Sequence, residues 1–335
     1  MRSRFALIPA AVLALGAPLA ACSSDESAND DASTVNVVAT TTILGDVAQR
    51  ITTCADPEAT VTTLMPIGAD PHDFSASSTQ VAEIVQADIV IANGLGLEVG
   101  LDDALDNAAS DGAKVIEIAD MVDPLPFGEH TGEHADDDHA DDEHSDDKAA
   151  DEDHAHGDED PHFWFDMNRM AQAAEIIGDE LATDNGQQYA ECGREVADEI
   201  RAAEADVRDL LESVPAEQRI LVTDHDSLGY LAEAYGYEIA GTVIPAGTTL
   251  AEPSSAELAD LVQVMQDEGV RVIFANTADP TALSDAVASE VGGDVQVVEL
   301  YVGSLGEPGS DSEDYLSMMR TNATLISNAL NGQLS

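Results

Sequence analysis

Short runs of β-branched residues alternate with longer amphipathic patterns along most of this chain, in two successive blocks. The first block has strand candidates at 35–39, 60–64, 88–92 and 115–118, and the second at 219–223, 238–243, 272–275 and 295–300. Helical patterns occupy most gaps, for example 79–86, 170–182, 228–235, 254–268 and 281–291. Strands that alternate with helices form parallel sheets with helices on both faces. We therefore predict an α/β fold with two lobes.

The longest helical pattern, at 187–213, lies between the two blocks. Its apolar positions form one stripe among charged residues, namely Tyr189, Val196, Ile200, Val207, Leu210 and Leu211. A helix of this length spans about 40 Å, which is enough to run beside both lobes as a stiff connector. The predicted organisation is a first lobe at 35–185, a linker helix at 186–214 and a second lobe at 215–335.

The N-terminus has the features of an export signal. Two arginines, Arg2 and Arg4, precede an apolar run at 5–21 that is too short for a stable membrane span. The sequence Leu19-Ala20-Ala21-Cys22 resembles a bacterial lipobox, in which the cysteine is lipidated. Segment 1–22 is then a lipoprotein signal peptide, 23–34 a tether, and the protein is held on the outer face of the cell membrane. The alternative is an ordinary cleaved signal peptide in which Cys22 is incidental.

The net charge excludes one class of partner. The chain has 67 acidic and 12 basic residues, so it has no basic surface that could neutralise nucleic-acid phosphates. Segment 129–160 contributes only 16 of the acidic residues, so the acidity belongs to the whole surface. It fits either a salty habitat or a need for solubility, and the sequence does not decide between them.

Six of the nine histidines lie in the acidic segment 129–160: His130, His134, His139, His144, His154 and His156. This segment has no apolar residue larger than alanine, so we predict a disordered loop. Imidazoles among carboxylates would make it a multivalent, low-affinity metal collector that weakens as pH falls. The alternative is a solvated acidic linker.

The other three histidines, His72, His162 and His225, lie apart in sequence. His72 and His162 each follow Asp-Pro, a pair typical of ordered turns, and His225 directly follows the strand candidate 219–223. Open α/β sheets bind ligands at the carboxyl ends of their strands, so these positions predict a site in the cleft between the lobes. Three neutral imidazoles suit Zn(II), whereas manganese prefers more oxygen ligands.

Four motifs in order resemble those of the zinc and manganese solute-binding proteins of ABC importers. They are Gly68-Ala69-Asp70-Pro71-His72-Asp73-Phe74, Asp160-Pro161-His162-Phe163-Trp164-Phe165-Asp166, His225-Asp226-Ser227-Leu228-Gly229-Tyr230 and Tyr315-Leu316-Ser317-Met318-Met319-Arg320-Thr321-Asn322. The resemblance implies two (βα)4 lobes joined by one long helix, a metal bound between them, and delivery to a permease. It maps the first three ligands to His72, His162 and His225. A histidine at the third position, and a histidine-rich loop, are similar to the zinc branch of the family.

One position departs from the family pattern. Many members have an aspartate ligand in the loop after the last strand, and the ungapped count places Gly303 there. The fourth zinc position is then taken by water, by Glu299 or Glu307, or by a histidine of the acidic loop. We expect water. The loss of this carboxylate also argues against manganese.

Three histidines and a water also describe a catalytic zinc, so a zinc-dependent hydrolase is the rival hypothesis. The sequence has no His-Glu-x-x-His helix or similar metalloenzyme signature, and we do not expect an enzyme. A manganese receptor and a surface adhesin or passive zinc buffer are the remaining alternatives. We expect a monomer, and either a disulfide between Cys54 and Cys192 or two separate buried thiols.

Overall fold

Two parallel sheets, one in each half of the chain, form the framework of the protein in a computed structural model that describes residues 34–128 and 159–333. The signal segment, Cys22 and the six histidines of the acidic loop lie outside the described residues. The predictions of a lipidated cysteine, a tether and a metal-collecting loop therefore remain predictions.

The first sheet consists of β1 (Asn36–Ala39), β2 (Thr60–Thr63), β3 (Ile89–Ala92) and β4 (Lys114–Glu117), in the order β2-β1-β3-β4. The second consists of β5 (Ile220–Thr223), β6 (Glu238–Thr242), β7 (Val272–Asn276) and β8 (Gln296–Leu300), in the order β6-β5-β7-β8. All pairings are parallel. The predicted fold class is confirmed, and each predicted strand agrees with the observed one to within one residue at either end.

Helices connect the strands in both lobes. In the first lobe they are α1 (Thr42–Ala55), α2 (Ser78–Gln86) and α3 (Asp102–Ser110), and α4 (Met167–Asn185) follows the acidic loop. After α5 (Gln188–Glu212), the second lobe has α6 (Gly229–Tyr235), α7 (Ser255–Glu268), α8 (Ala282–Val291) and α9 (Tyr315–Leu330). The central strands β3 and β7 are buried throughout, as expected for strands covered by helices on both faces.

The long helix α5 packs against elements of both lobes. Its 25 residues span about 37 Å, and its buried stripe contacts α1 of the first lobe and α9 of the second. The helix also lies very close to α4, because a Cβ atom on Gly193 would come within 2.9 Å of the Gly178 Cα atom. Glycine at both positions therefore permits the close contact that fixes α4, and α4 directly follows the segment of His162.

One hydrophobic core runs through both lobes. It includes Ile91 of β3, Phe163 before α4, Ile200 of α5 and Phe274 of β7. Two smaller clusters lie under the outer helices of the first and second lobes. Because the main core is continuous across the lobes, burial of apolar surface holds them together as well as stabilising each one.

A disulfide joins α1 to α5. Cys54 and Cys192 are 138 residues apart in sequence, and their Cα atoms are 5.9 Å apart. The bridge closes a long loop of the unfolded chain, which is the condition under which a disulfide restricts the unfolded state most. Among the described residues, the helices are all too short or too polar to cross a membrane.

Candidate metal centre

Three imidazoles meet in the cleft between the lobes. The side chains of His72, His162 and His225 are 4%, 1% and 1% exposed, and each offers one ring nitrogen within 4.8 Å of the other two. Their ring centroids are 5.3 to 5.5 Å apart. The structure therefore brings together the three histidines that the sequence singled out. Among the described residues, no carboxylate belongs to this group.

His72 and His225 lie in loops that follow strands, and His162 lies just before α4. His72 lies between β2 and α2, and its backbone N–H donates to Asp70 Oδ1 at 3.1 Å, which fixes the Asp-Pro-His turn. His225 follows β5 directly, and its N–H donates to Asp224 Oδ1 at 2.7 Å. His162 precedes the short 3₁₀ turn Phe163–Phe165 at the start of α4.

A carboxylate orients two of the rings. Asp160 Oδ1 lies 2.7 Å from His162 Nδ1, and Asp224 Oδ1 lies 2.9 Å from His225 Nδ1. An ionised carboxylate only accepts hydrogen bonds, so Nδ1 carries the proton in both rings and Nε2 is left with its lone pair. His225 Nε2 is buried and has no hydrogen-bond partner among residues 34–128 and 159–333. This carboxylate–imidazole arrangement is the one that prepares histidine to bind a metal.

One pair of ring nitrogens has the spacing of zinc ligands. His72 Nε2 and His162 Nε2 are 3.3 Å apart. With zinc–nitrogen bonds of about 2.0–2.1 Å, two ligands of a tetrahedral shell lie about 3.3–3.4 Å apart. The third imidazole, on His225, offers a nitrogen within 4.8 Å of both, so the donor set is compatible with a zinc site.

The two oriented histidines differ in basicity. Burial, followed by the proximity of His225, lowers the pKa of His162 well below its ordinary value. Burial also acts to lower the pKa of His225, but the hydrogen bond and charge of Asp224, with Asp70 and Asp279 nearby, raise it overall. The shifts therefore favour the neutral form of His162 and the protonated form of His225, so a proton competes with a metal more strongly at His225 than at His162.

The two glutamates considered from the sequence as a fourth ligand lie outside the histidine group in this structure. Glu299 and Glu307 are both exposed, and neither belongs to the histidine group. Glu299 faces away because side chains alternate along β8, where its neighbours Val298 and Leu300 are buried. Gly303 lies beside the site, where a Cβ atom would come within 2.6 Å of Pro71 Cδ. This packing leaves no room for a side chain at position 303.

Acidic side chains near the site were missed from the sequence. Asp279 lies in the loop after β7, where Asn276 Nδ2 donates to Asp279 Oδ2 at 2.8 Å. Burial, followed by the charge of Asp70, raises the pKa of Asp279 to about 6. Asp70 also accepts a hydrogen bond from Thr249 Oγ1 across the cleft. The signal available in the sequence was the position of Asp279 at the carboxyl end of a strand next to β5.

The residues that flank segment 129–158 are paired with each other. Pro126 and Glu159 form an antiparallel bridge, and the Asp160 N–H donates to the Leu125 carbonyl at 2.6 Å. Glu159 and Asp160 lie three and two residues before His162, so this pairing is close to the site in sequence.

Residues 37–329 match the protein family described as zinc-uptake complex component A, periplasmic. The chain belongs to this family. The zinc-binding protein TroA of Treponema pallidum is 26% identical over 302 residues, which cover 86% of this chain and 87% of TroA. The manganese-binding lipoprotein MntA of Halalkalibacterium halodurans is 25% identical over 301 residues, which cover 89% of each protein.

The solved structure of TroA shares the fold. It superposes with a TM-score of 0.71 and 23% identity, over 89% of this chain and 99% of TroA. Further relatives are named as substrate-binding lipoproteins of manganese ABC transporters. The family member described here is thus a substrate-binding protein of the metal ABC transporter class, and the relatives' names describe binding proteins rather than enzymes.

Proposed function

We propose that this protein is an extracytoplasmic zinc receptor that binds Zn(II) in the interlobe cleft and delivers it to the permease of an ABC importer. The observation that carries the proposal is the group of three buried imidazoles, His72, His162 and His225, within 4.8 Å of one another. A buried cluster of nitrogen ligands with oriented rings has no structural role that an apolar core would not fill better.

The donor set favours zinc over manganese. Zinc accepts nitrogen ligands in a tetrahedral shell, whereas manganese prefers oxygen. Among the described residues the group holds nitrogen donors alone, and the packing of Gly303 on Pro71 excludes a carboxylate at the family's aspartate position. Water then completes the shell. A manganese receptor is the second candidate, because relatives with either metal in their names are similarly distant from this chain.

The remaining segments support the same role. Lipidation of Cys22 and the tether 23–34 would hold the receptor beside its permease on the outer face of the membrane. Segment 129–158, whose flanking residues Pro126 and Glu159 are paired a few residues before His162, would concentrate zinc near the cleft through its six histidines. Delivery then follows from docking of the loaded lobes, with no chemical step.

Competitive titration tests the assignment of the metal. The protein, stripped with a chelator, is titrated with zinc and with manganese by calorimetry, and then with zinc in the presence of excess manganese. We expect one tight zinc site that manganese does not displace. The zinc proposal is wrong if manganese binds that site as tightly as zinc. Hydrolysis of model esters by the zinc-loaded protein would instead support the rival hydrolase.

A further inference from the structure

A single tyrosine hydroxyl joins the two segments that carry His162 and His225. Tyr230 is fully buried, and its hydroxyl donates to the Asp160 carbonyl at 2.8 Å while accepting from the Leu125 N–H at 3.0 Å. Burial raises the pKa of Tyr230, so the hydroxyl keeps its proton and can act as a donor. The Asp160 N–H in turn donates to the Leu125 carbonyl at 2.6 Å. These three contacts form one closed group at the base of segment 129–158.

Tyr230 and Asp160, which this contact joins, each lie close in sequence to a different histidine of the site. Tyr230 lies in the first turn of α6, five residues after His225. Asp160 lies two residues before His162, and its carboxylate holds both the backbone N–H and Nδ1 of His162. The hydroxyl therefore ties the second-lobe segment of one histidine to the residue that orients another.

A side chain of the first lobe holds the segment of His162 on the side opposite Tyr230. Asn93 Nδ2 donates to the Pro161 carbonyl at 3.0 Å, and the buried carboxylate of Glu98 accepts from the Asn93 N–H at 2.6 Å. The Asp160 and Pro161 carbonyls are thus held by one side chain from each lobe. Removal of either side chain would let the His162 segment shift relative to His225.

The tyrosine ring is itself held in place. The Arg169 guanidinium lies 4.9 Å from the ring centroid, and it bonds Asp166 at 2.8 Å and Glu233 at 2.9 Å. A guanidinium over an aromatic ring adds a favourable electrostatic contact. The ring therefore has a fixed position, which lets its hydroxyl act as a rigid spacer.

We propose that Tyr230 is a positioning residue for the metal centre: its hydroxyl sets the distance between His162 and His225 by holding Asp160 against α6. This inference rests on the proposed zinc site, and it adds a residue that touches neither the metal nor a ligand ring. Positioning partners of this kind typically change metal affinity by about 10-fold to 100-fold when they are removed.

The test compares Tyr230→Phe with a matched control, Tyr237→Phe. Tyr237 also lies in the second-lobe core, its hydroxyl donates to the Leu211 carbonyl at 2.8 Å, and Arg219 lies 5.9 Å from its ring centroid. Both variants lose one hydroxyl that bonds a backbone carbonyl, but only Tyr230 is connected to a histidine segment. Zinc affinity, the cobalt(II) absorption spectrum and thermal unfolding of the metal-free protein are measured for both.

We expect Y230F to bind zinc about 10-fold to 100-fold more weakly than the wild type and to alter the cobalt spectrum, while Y237F keeps both properties. Equal zinc affinity in the two variants would overturn the inference. If metal-free Y230F is partly unfolded, the zinc-induced rise in its unfolding temperature gives the same comparison, and a rise equal to that of the wild type overturns the inference as well. Failure of the wild type to bind zinc would instead refute the proposed function.

Discussion

The Nε2 atoms of His72 and His162 lie 3.3 Å apart, although the two residues are 90 positions apart in the chain. Each belongs to an Asp-Pro-His tripeptide, and in each the aspartate Oδ1 accepts from the backbone N–H of the histidine. The same local turn thus presents two imidazoles from separate parts of the first lobe. The third, His225, comes from the second lobe, so the metal centre is complete only where the two lobes meet.

Replacing His72 or His225 by alanine should weaken tight zinc binding by at least about 100-fold, because each supplies one of three ligands. His144→Ala, which changes one of the six loop histidines, is the matched control and should leave the tight site unchanged. Calorimetric titration of the three variants checks the prediction. Tight binding that survives in H72A and H225A, or is lost in H144A, would show that the tight site is formed by other residues.

Zinc binding should weaken as the pH falls, and His225 should contribute more to the change than His162. The pKa of His225 is raised above its ordinary value near 6.5, so a proton competes with zinc there more strongly than at an unperturbed histidine. The pKa of His162 is lowered, so a proton competes with zinc less strongly there. In a variant without segment 129–158, zinc affinity should fall roughly tenfold or more between pH 8 and pH 5.5. Constant affinity over this range would contradict the raised pKa of His225.

The pKa shifts of His225 and His162 make the stability of the metal-free protein depend on pH in opposite directions. A raised histidine pKa contributes stability that is present below pH 6.5 and is lost as the pH rises through the folded-state value. A lowered pKa, as in His162, contributes stability at neutral pH that is lost as the pH falls. The stabilisation provided by zinc should therefore grow from pH 6 to pH 8, which thermal unfolding with and without zinc would measure.

Trp164, the single tryptophan of the chain, should report metal binding. Its ring centroid lies 5.3 Å from that of His162, and its Nε1–H donates to the Val302 carbonyl of the second lobe at 3.0 Å. A dication on His162 and any change in the interlobe contact both alter the surroundings of the indole. Its fluorescence should change and saturate at one equivalent of zinc. The same titration of H225A should show no saturable change, and one that persists there would mean that Trp164 senses another site.

Reduction of the disulfide between Cys54 and Cys192 should lower the free energy of unfolding by about 2–4 kcal/mol, with little effect on zinc affinity. The bridge joins α1 to α5, whereas the histidines are carried by other segments. Denaturant unfolding of the wild type and of a Cys54→Ser, Cys192→Ser variant measures the loss. A large fall in zinc affinity of the folded double variant would show that the bridge also shapes the cleft.

The sequence predicted most of the fold because its signals are local. Strands such as Ile89–Ala92 and Val272–Asn276 are continuous apolar runs, and each occupies the centre of a sheet. The metal site was predicted from three isolated histidines, which lie next to strand ends and ordered turns in the sequence. The fourth position was harder, because Glu299 lies near the end of the last strand and Glu307 in the loop after it, yet both are exposed to solvent.

Long-range contacts could not be read from the sequence. The approach of Gly303 to Pro71 depends on how the two lobes meet, and so does the Tyr230 bond to the Asp160 carbonyl. Asp279 and Asp70 come from different lobes, and the charge of Asp70 raises the pKa of Asp279 only after the lobes have come together. Tertiary packing decides each of these contacts, and no local pattern in the sequence marks them.

The most direct test is zinc X-ray absorption spectroscopy of the variant without segment 129–158, loaded with one equivalent of zinc. The residues that flank that segment are joined by the bridge between Pro126 and Glu159, so a short glycine-serine linker can replace it. The spectrum should show three imidazole nitrogens at about 2.0–2.1 Å and one oxygen, and H225A should lose one imidazole. A shell with one imidazole or none, or one dominated by oxygen, would contradict a zinc site built from His72, His162 and His225.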